Sequence, residues 1–204
     1  MWVRVATFEG GDTEKVDKLM EERLSSGEMT PPEGMNSVVI LDDKDAKKRK
    51  FLAFFDSREM LDAAEEAFDR QGDTIPEEIR GKRTSVHQYE VVIHEGDVDR
   101  AKAARVSLLE GSPDSIDAGL DRARGDTLPK VRAIEGNVAA IGLADRANGR
   151  VSMITLWDSV DSMRASAQQA DQLRQRSAEM SDQTIATVAQ YEVSRAQTVT
   201  GAQA

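Results

Sequence analysis

The tetrapeptide Gln88-Tyr89-Glu90-Val91 returns as Gln190-Tyr191-Glu192-Val193, 102 positions later in a chain of 204 residues. Other pairs keep the interval. Glu33-Gly34 answers to Glu135-Gly136 and Phe55-Asp56-Ser57 to Trp157-Asp158-Ser159, while Glu9-Gly10 answers to Glu110-Gly111 at a shift of 101. A near-constant offset along the whole chain is the mark of a duplicated structural unit. The expected domains are a first unit over 1–97, a second over 98–195 and a disordered tail over 196–204.

Each unit reads strand, helix, strand, strand, helix, strand. VRVATF and ARVSLL are first strands. Asp12 is placed to cap the helix after the first, and Ser112-Pro113 puts a capping hydroxyl and an N1 proline after the second. Val16, Leu19, Met20 and Leu24 then recur at helical spacing, as do Ile116, Leu120 and Ala123, so one apolar stripe of each helix faces a sheet. NSVVIL with KFLAFF, and VAAIGL with VSMITLW, read as hairpins, the second carrying the Asn148-Gly149 turn signal. Asp56 and Glu59, and Asp158 and Asp161, place carboxylates at the start of a second helix, where the helix dipole favours them. VHQYEVVI and VAQYEVS close the units.

This order is the split βαβ plan, so the predicted fold is α+β, two tandem ferredoxin-like βαββαβ units. Such a unit covers one face of its antiparallel sheet with helices and leaves the other apolar face bare. The two sheets are therefore expected to pack face to face as an intramolecular, pseudo-dimeric α/β barrel.

Composition narrows the chemistry. The chain has no cysteine, which removes disulfides and thiolate catalysis and suits a reducing cytoplasm. The formal net charge is −10. Residues 1–97 carry 14 basic and 23 acidic side chains against 13 and 14 in the rest, and so acidic a surface speaks against nucleic acid as a partner. No uncharged run approaches membrane-span length, so no membrane partner is expected and the predicted location is cytoplasmic. The basic run Lys47-Lys48-Arg49-Lys50, beside Asp42, Asp43 and Asp45, reads as a solvated turn.

RVSLLEG, IEGNVAAIGLADRANGRVSMITLWDS and DSMRASAQQADQLRQRSAE, running on to AQYEV, resemble the dimeric α/β-barrel superfamily, and within it the antibiotic-biosynthesis-monooxygenase-like proteins. The likeness is to actinobacterial members in which strand 3 ends T-x-W-x-S. It covers about 95 residues of the second half, and MNSVVIL, FFDS and HQYEVVI extend it into the first. If the protein is an enzyme, the resemblance implies an antibiotic-biosynthesis-type monooxygenase working without a cofactor. Haem-degrading relatives use an Asn on strand 1 and a Trp and a His on the second helix. None of these stands at the matching positions here, and Trp157 matches an aromatic that looks structural in the family.

The chain's two histidines, His87 and His94, are seven residues apart, so on an unbroken strand they point to opposite faces and cannot share a metal. Both read as structural or exposed histidines, with haem ligand or general base as the alternative role of His87. Arg4 and Arg105 stand on first strands that the plan sets beside the last strands. Arg4 is therefore expected across from Gln88 or Glu90, and Arg105 across from Gln190 or Glu192. If Val3, Val5, Tyr89 and Val91 meet the helices, these charged sets point into the barrel, as structural ion pairs or as anchors for a ligand. The candidate ligand-binding residues are thus Arg4, Gln88, Glu90, Arg105, Gln190, Glu192, His87 and Trp157, with no metal site. The expected role is binding of a small apolar or aromatic molecule, in the barrel or in the cleft between sheet and helices, by a monomer or homodimer. The alternative is a non-catalytic interaction protein whose barrel is packed solid.

Overall fold

The computed structural model describes residues 1–199. Its strands are β1 (Trp2–Glu9), β2 (Met35–Asp43), β3 (Lys48–Phe55), β4 (Lys82–Gly96), β5 (Ala103–Gly111), β6 (Asn137–Asp145), β7 (Arg150–Trp157) and β8 (Gln183–Thr198). The helices are α1 (Thr13–Ser26), α2 (Arg58–Asp73), α3 (Glu77–Arg80), α4 (Ile116–Arg122), α5 (Leu128–Arg132), α6 (Val160–Ala165) and α7 (Ala167–Met180). The fold is α+β, and hydrogen bonding carries the strands through the closed antiparallel barrel order β1-β3-β2-β8-β5-β7-β6-β4.

Two compact units divide the chain: Met1–Gln88 with the stretch beginning at Ser194, and Tyr89–Val193. The division falls inside β4 and β8, since each of these long strands starts in one unit and finishes in the other. β8 continues through Thr198, so the expected tail begins as strand, and its residues 200–204 lie outside the described residues.

In the first unit β3 lies between β1 and β2 and pairs antiparallel with both. Arg4 faces Ala53, which faces Val38; Ala6 faces Phe51, which faces Ile40; Phe8 faces Arg49, which faces Asp42. Asp12 caps α1 by accepting from the Lys15 N–H. The cap of α2 is Ser57, which accepts from the Met60 N–H, while Asp56 accepts instead from the Asn36 amide. Leu61 and Ala64 of α2 pack on Met35, Ala53 and Phe55. Fully burying a side chain such as Leu61 contributes about 1.5–3 kcal/mol. Phe68 stands edge-on to Phe51 and Phe55, with ring centroids 6.2 and 6.1 Å apart.

The second unit repeats the element order with a different helix layer. Ser112 caps a 3₁₀ turn opened by Pro113, and α4 and α5 are joined by a π turn over Ala123–Thr127. Ile116, Leu120 and Leu128 pack there on Ala140, Ala144 and Val151. The second helix, expected as one run over 159–179, is broken at Ser166 into α6 and α7. Arg105 explains the break: its Nη2 donates to the Met163 carbonyl at 2.5 Å and its Nη1 to Ser166 Oγ at 3.2 Å, taking the acceptor on which the next helical turn would rest. Among the described residues no helix is long and apolar enough to cross a membrane.

Candidate functional site

The helix-covered face of the first unit is not filled. A cavity of about 340 Å³ lies there, at the lower end of the roughly 300–1,000 Å³ typical of small-molecule pockets. Its floor is the sheet, through Ala6, Phe8, Val38, Ile40 and Phe51. Val16, Met20 and Leu24 of α1 and Phe68, Gln71 and Gly72 of α2 make its walls, and Met29–Pro32, Ile75, the β8 residues Arg195 and Gln197, and Val199 just after them complete it. The apolar stripe of α1 thus faces the sheet as its spacing predicts, but Met20 and Leu24 face it across open space.

Within the 102-residue frame the second unit shows why. The counterpart of Gly72 is Arg174, whose Nε donates to Ser107 Oγ at 2.9 Å across the sheet face. Ser107 answers to Ala6 at the first-strand shift of 101. The counterpart of Arg195 is Ile93, directly opposite Gly142 on β6 and packed so closely that a Cβ on Gly142 would lie 3.0 Å from it. A glycine and an alanine in place of an arginine and a serine remove the filling side chains.

Five arginines line the cavity: Arg4, Arg49, Arg80, Arg83 and Arg195. Three are neutralised. Arg4, 3% exposed, donates from Nε to Glu65 at 2.8 Å and lies 4.6 Å above the Phe68 ring. Arg49 binds Asp42 through Nε and Nη2, both at 2.7 Å, and Asp17 at 2.8 Å. Burial alone would lower the Arg49 pKa, but the hydrogen bonds to Asp42 and then Asp17 outweigh it and raise it. Arg83 pairs with Asp69 at 2.6 Å. Arg80 is different: its Nε is buried and has no acceptor among the described residues, and its guanidinium sits 5.8 Å from the Phe8 ring centroid.

The residues expected to form the site separate. Arg4 lines the cavity, but from the helix side. The parity assumed from the sequence is therefore inverted, because the acceptor of Arg4 is Glu65 on α2 and that of Arg105 is Met163 on α6. Both arginines are buried under helices. Arg105 does stand opposite Gln190, while Glu192 stands opposite Ala103. Burial first, and then the like charge of Arg174, lower the Arg105 pKa. Gln88 donates to Asp62 and Glu65 of α2. Glu90 accepts from Arg146 at 2.7 Å, an arginine also bound to Asp117. His87, Gln190 and Glu192 are exposed, and Trp157 is wholly buried, donating from Nε1 to Thr155. The basic run is a solvated turn only at Lys47, because Arg49 is 6% exposed and directly opposite Asp42. Among the described residues no cluster suited to a metal ion occurs.

The sequence reading passed over Gly72, Arg80 and Arg195 and took Arg49 for part of a solvated turn. The signal that could have found two of them was present: Gly72 against Arg174 and Arg195 against Ile93 are places where the repeat changes size or charge.

No protein-family model matches the chain. The uncharacterized protein Rv2558 of Mycobacterium tuberculosis strain H37Rv is 34% identical over 77 residues, 38% of this chain and 33% of that protein. The chain thus spans about a third of the length of the curated relatives it matches. Among solved structures it is similar to an anthrone oxidase-like protein, with a TM-score of 0.68 and 19% identity over 98% of this chain and 94% of that one. It is also similar to a candidate monooxygenase from Fusobacterium nucleatum, with a TM-score of 0.67 and 16% identity over 97% and 94% of the two chains. These likenesses are of fold: the chain shares it with both of these and with a ferredoxin-fold protein from Listeria monocytogenes described as related to antibiotic biosynthesis monooxygenases. That is the fold the resemblance in the second half implied.

Proposed function

We propose that the protein binds a small, largely apolar molecule in the cleft between α1, α2 and the sheet of its first unit. The observation that carries this reading is the cavity of about 340 Å³, open in one unit at the place where Arg174 and Ile93 fill the other. An apolar hollow with a few placed polar groups is the usual form of a small-molecule site. It favours a binding role over the solidly packed alternative.

The finer reading is that the molecule is an oxidisable aromatic and that the protein catalyses its oxidation by O₂ without a cofactor. Its support is the fold shared with an anthrone oxidase-like protein. His87, the residue a haem would need, is exposed and does not line the cavity, so haem binding draws no support from the cleft.

Titration with the neutral fluorescent probe N-phenyl-1-naphthylamine tests the binding reading. Saturable enhancement at one probe per chain, abolished by Gly72→Leu, is expected. No saturable binding, or binding indifferent to Gly72→Leu, would overturn it. For the finer reading, anthrone supplied with air should consume one O₂ per anthraquinone formed faster than in buffer, and an unchanged rate would remove it.

A further inference from the structure

Resting on the cavity reading above, we propose that its ligand is an amphiphilic monocarboxylic acid, with an apolar body over Phe8 and Phe51 and a carboxylate received by the Arg80 guanidinium. Arg195 contributes a second positive charge to the lining.

Charge bookkeeping around the cavity is the first argument. Of the five arginines that line it, three have carboxylates of the chain: Arg4 has Glu65, Arg49 has Asp42 and Asp17, and Arg83 has Asp69. Arg80 and Arg195 have no ion pair among the described residues, although the chain has 37 acidic side chains to 27 basic ones. A cation left without a partner beside a hollow, in an acidic protein, leaves the wall positive. An anion is what that wall attracts.

The geometry of Arg80 is the second. A buried donor normally has an acceptor, and Arg80 Nε has none among the described residues. The guanidinium is held by Phe8, at 5.8 Å from the ring centroid, and a Cβ built on Gly72 would lie 3.7 Å from its Nη1. Both neighbours line the cavity, so the cationic group stands at its wall. The fork of N–H donors on a guanidinium matches a carboxylate in two hydrogen bonds.

The third argument is the comparison between the units. The positions 102 residues from Arg80 and Arg195 are Asp182 and Ile93, and where Ile93 stands the face is packed with apolar side chains. The two arginines without an ion pair among the described residues therefore accompany the hollow, and their counterparts where it is filled are not arginines. Beside the arginines and Asp17, Thr30, Gln71 and Gln197 the lining is apolar, so the body of the ligand is hydrocarbon or aromatic.

The test is displacement of N-phenyl-1-naphthylamine from the full chain by decanoate and by decan-1-ol, equal in chain length and both kept below micelle formation. Decanoate should displace the probe at a concentration about tenfold or more lower than decanol, the advantage expected of a charge-assisted pair. In Arg80→Gln that ratio should fall toward one, while bound probe shows that the cavity still forms. Equal displacement by acid and alcohol in the parent protein, or an undiminished ratio in Arg80→Gln, would overturn the carboxylate assignment and leave the apolar cavity standing. Failure of the parent protein to bind the probe would overturn both.

Discussion

Arg49 and Asp42 stand directly opposite each other on β3 and β2, joined by two hydrogen bonds of 2.7 Å, with side chains 7% and 2% exposed. A buried pair is costly to break because the surviving charge loses its partner. Asp42→Asn is therefore expected to destabilise the fold by about 3–5 kcal/mol. The double variant Asp42→Leu with Arg49→Met should recover most of that, since Asp17 is already 41% exposed and can be solvated. Urea denaturation of the parent and both variants measures the difference.

Gly34 and Gly136 occupy equivalent turns and both have φ near +80°, where an L side chain is strained by about 1–2 kcal/mol. Their surroundings differ. A Cβ on Gly34 would meet the flexible Met60 at 3.2 Å, whereas one on Gly136 would lie 2.4 Å from Ser162 Cβ. Gly136→Ala should thus cost clearly more than Gly34→Ala, on the order of 4 kcal/mol against about 1–2 kcal/mol. Thermal unfolding of the two variants checks the order.

A Cβ at Gly72 has only Arg80 Nη1 in range, at an ordinary 3.7 Å, and Gly72 lies within α2. Gly72→Leu gains helix propensity of roughly 0.8–1 kcal/mol and places apolar atoms in the hollow. The expected result is a protein more stable than the parent that no longer binds a neutral probe, as read by a melting curve beside a probe titration.

Burial first, and then the charge of Lys48, hold the Lys50 pKa below the usual lysine value. A lowered basic pKa means that the charged form is penalised in the folded state. The penalty is fully present below the folded pKa and fades as pH rises toward the unfolded one. Lys50→Met should accordingly be more stable than the parent at pH 7, with the gap narrowing toward pH 10. Denaturation midpoints at the two pH values report it.

The element order was legible because each unit states its helices by spacing and its strands by composition, and the repeated QYEV marks the last strand twice. The orientation of β1 was not. Val3, Arg4, Val5, Ala6 and Thr7 are all buried, so apolar residues occur in both strand parities and alternation carries no directional signal. What orients Arg4 is Glu65, 61 residues away in sequence, and what orients Arg105 is a carbonyl of Met163 that no residue type announces. The cavity was still less legible, because it consists of missing side-chain volume at Gly72 and Ala6. Volume becomes visible only once the helices are placed.

The exchange of strand ends also imposes an order on folding during synthesis. The first unit takes in residues from Ser194 onward, and the Val199 N–H donates to the Asn36 carbonyl at 2.8 Å. The sheet beneath the cavity therefore cannot be finished while the intervening residues are still being translated. The second unit draws on the contiguous stretch Tyr89–Val193, so the unit that begins later in the chain is the one able to complete itself first.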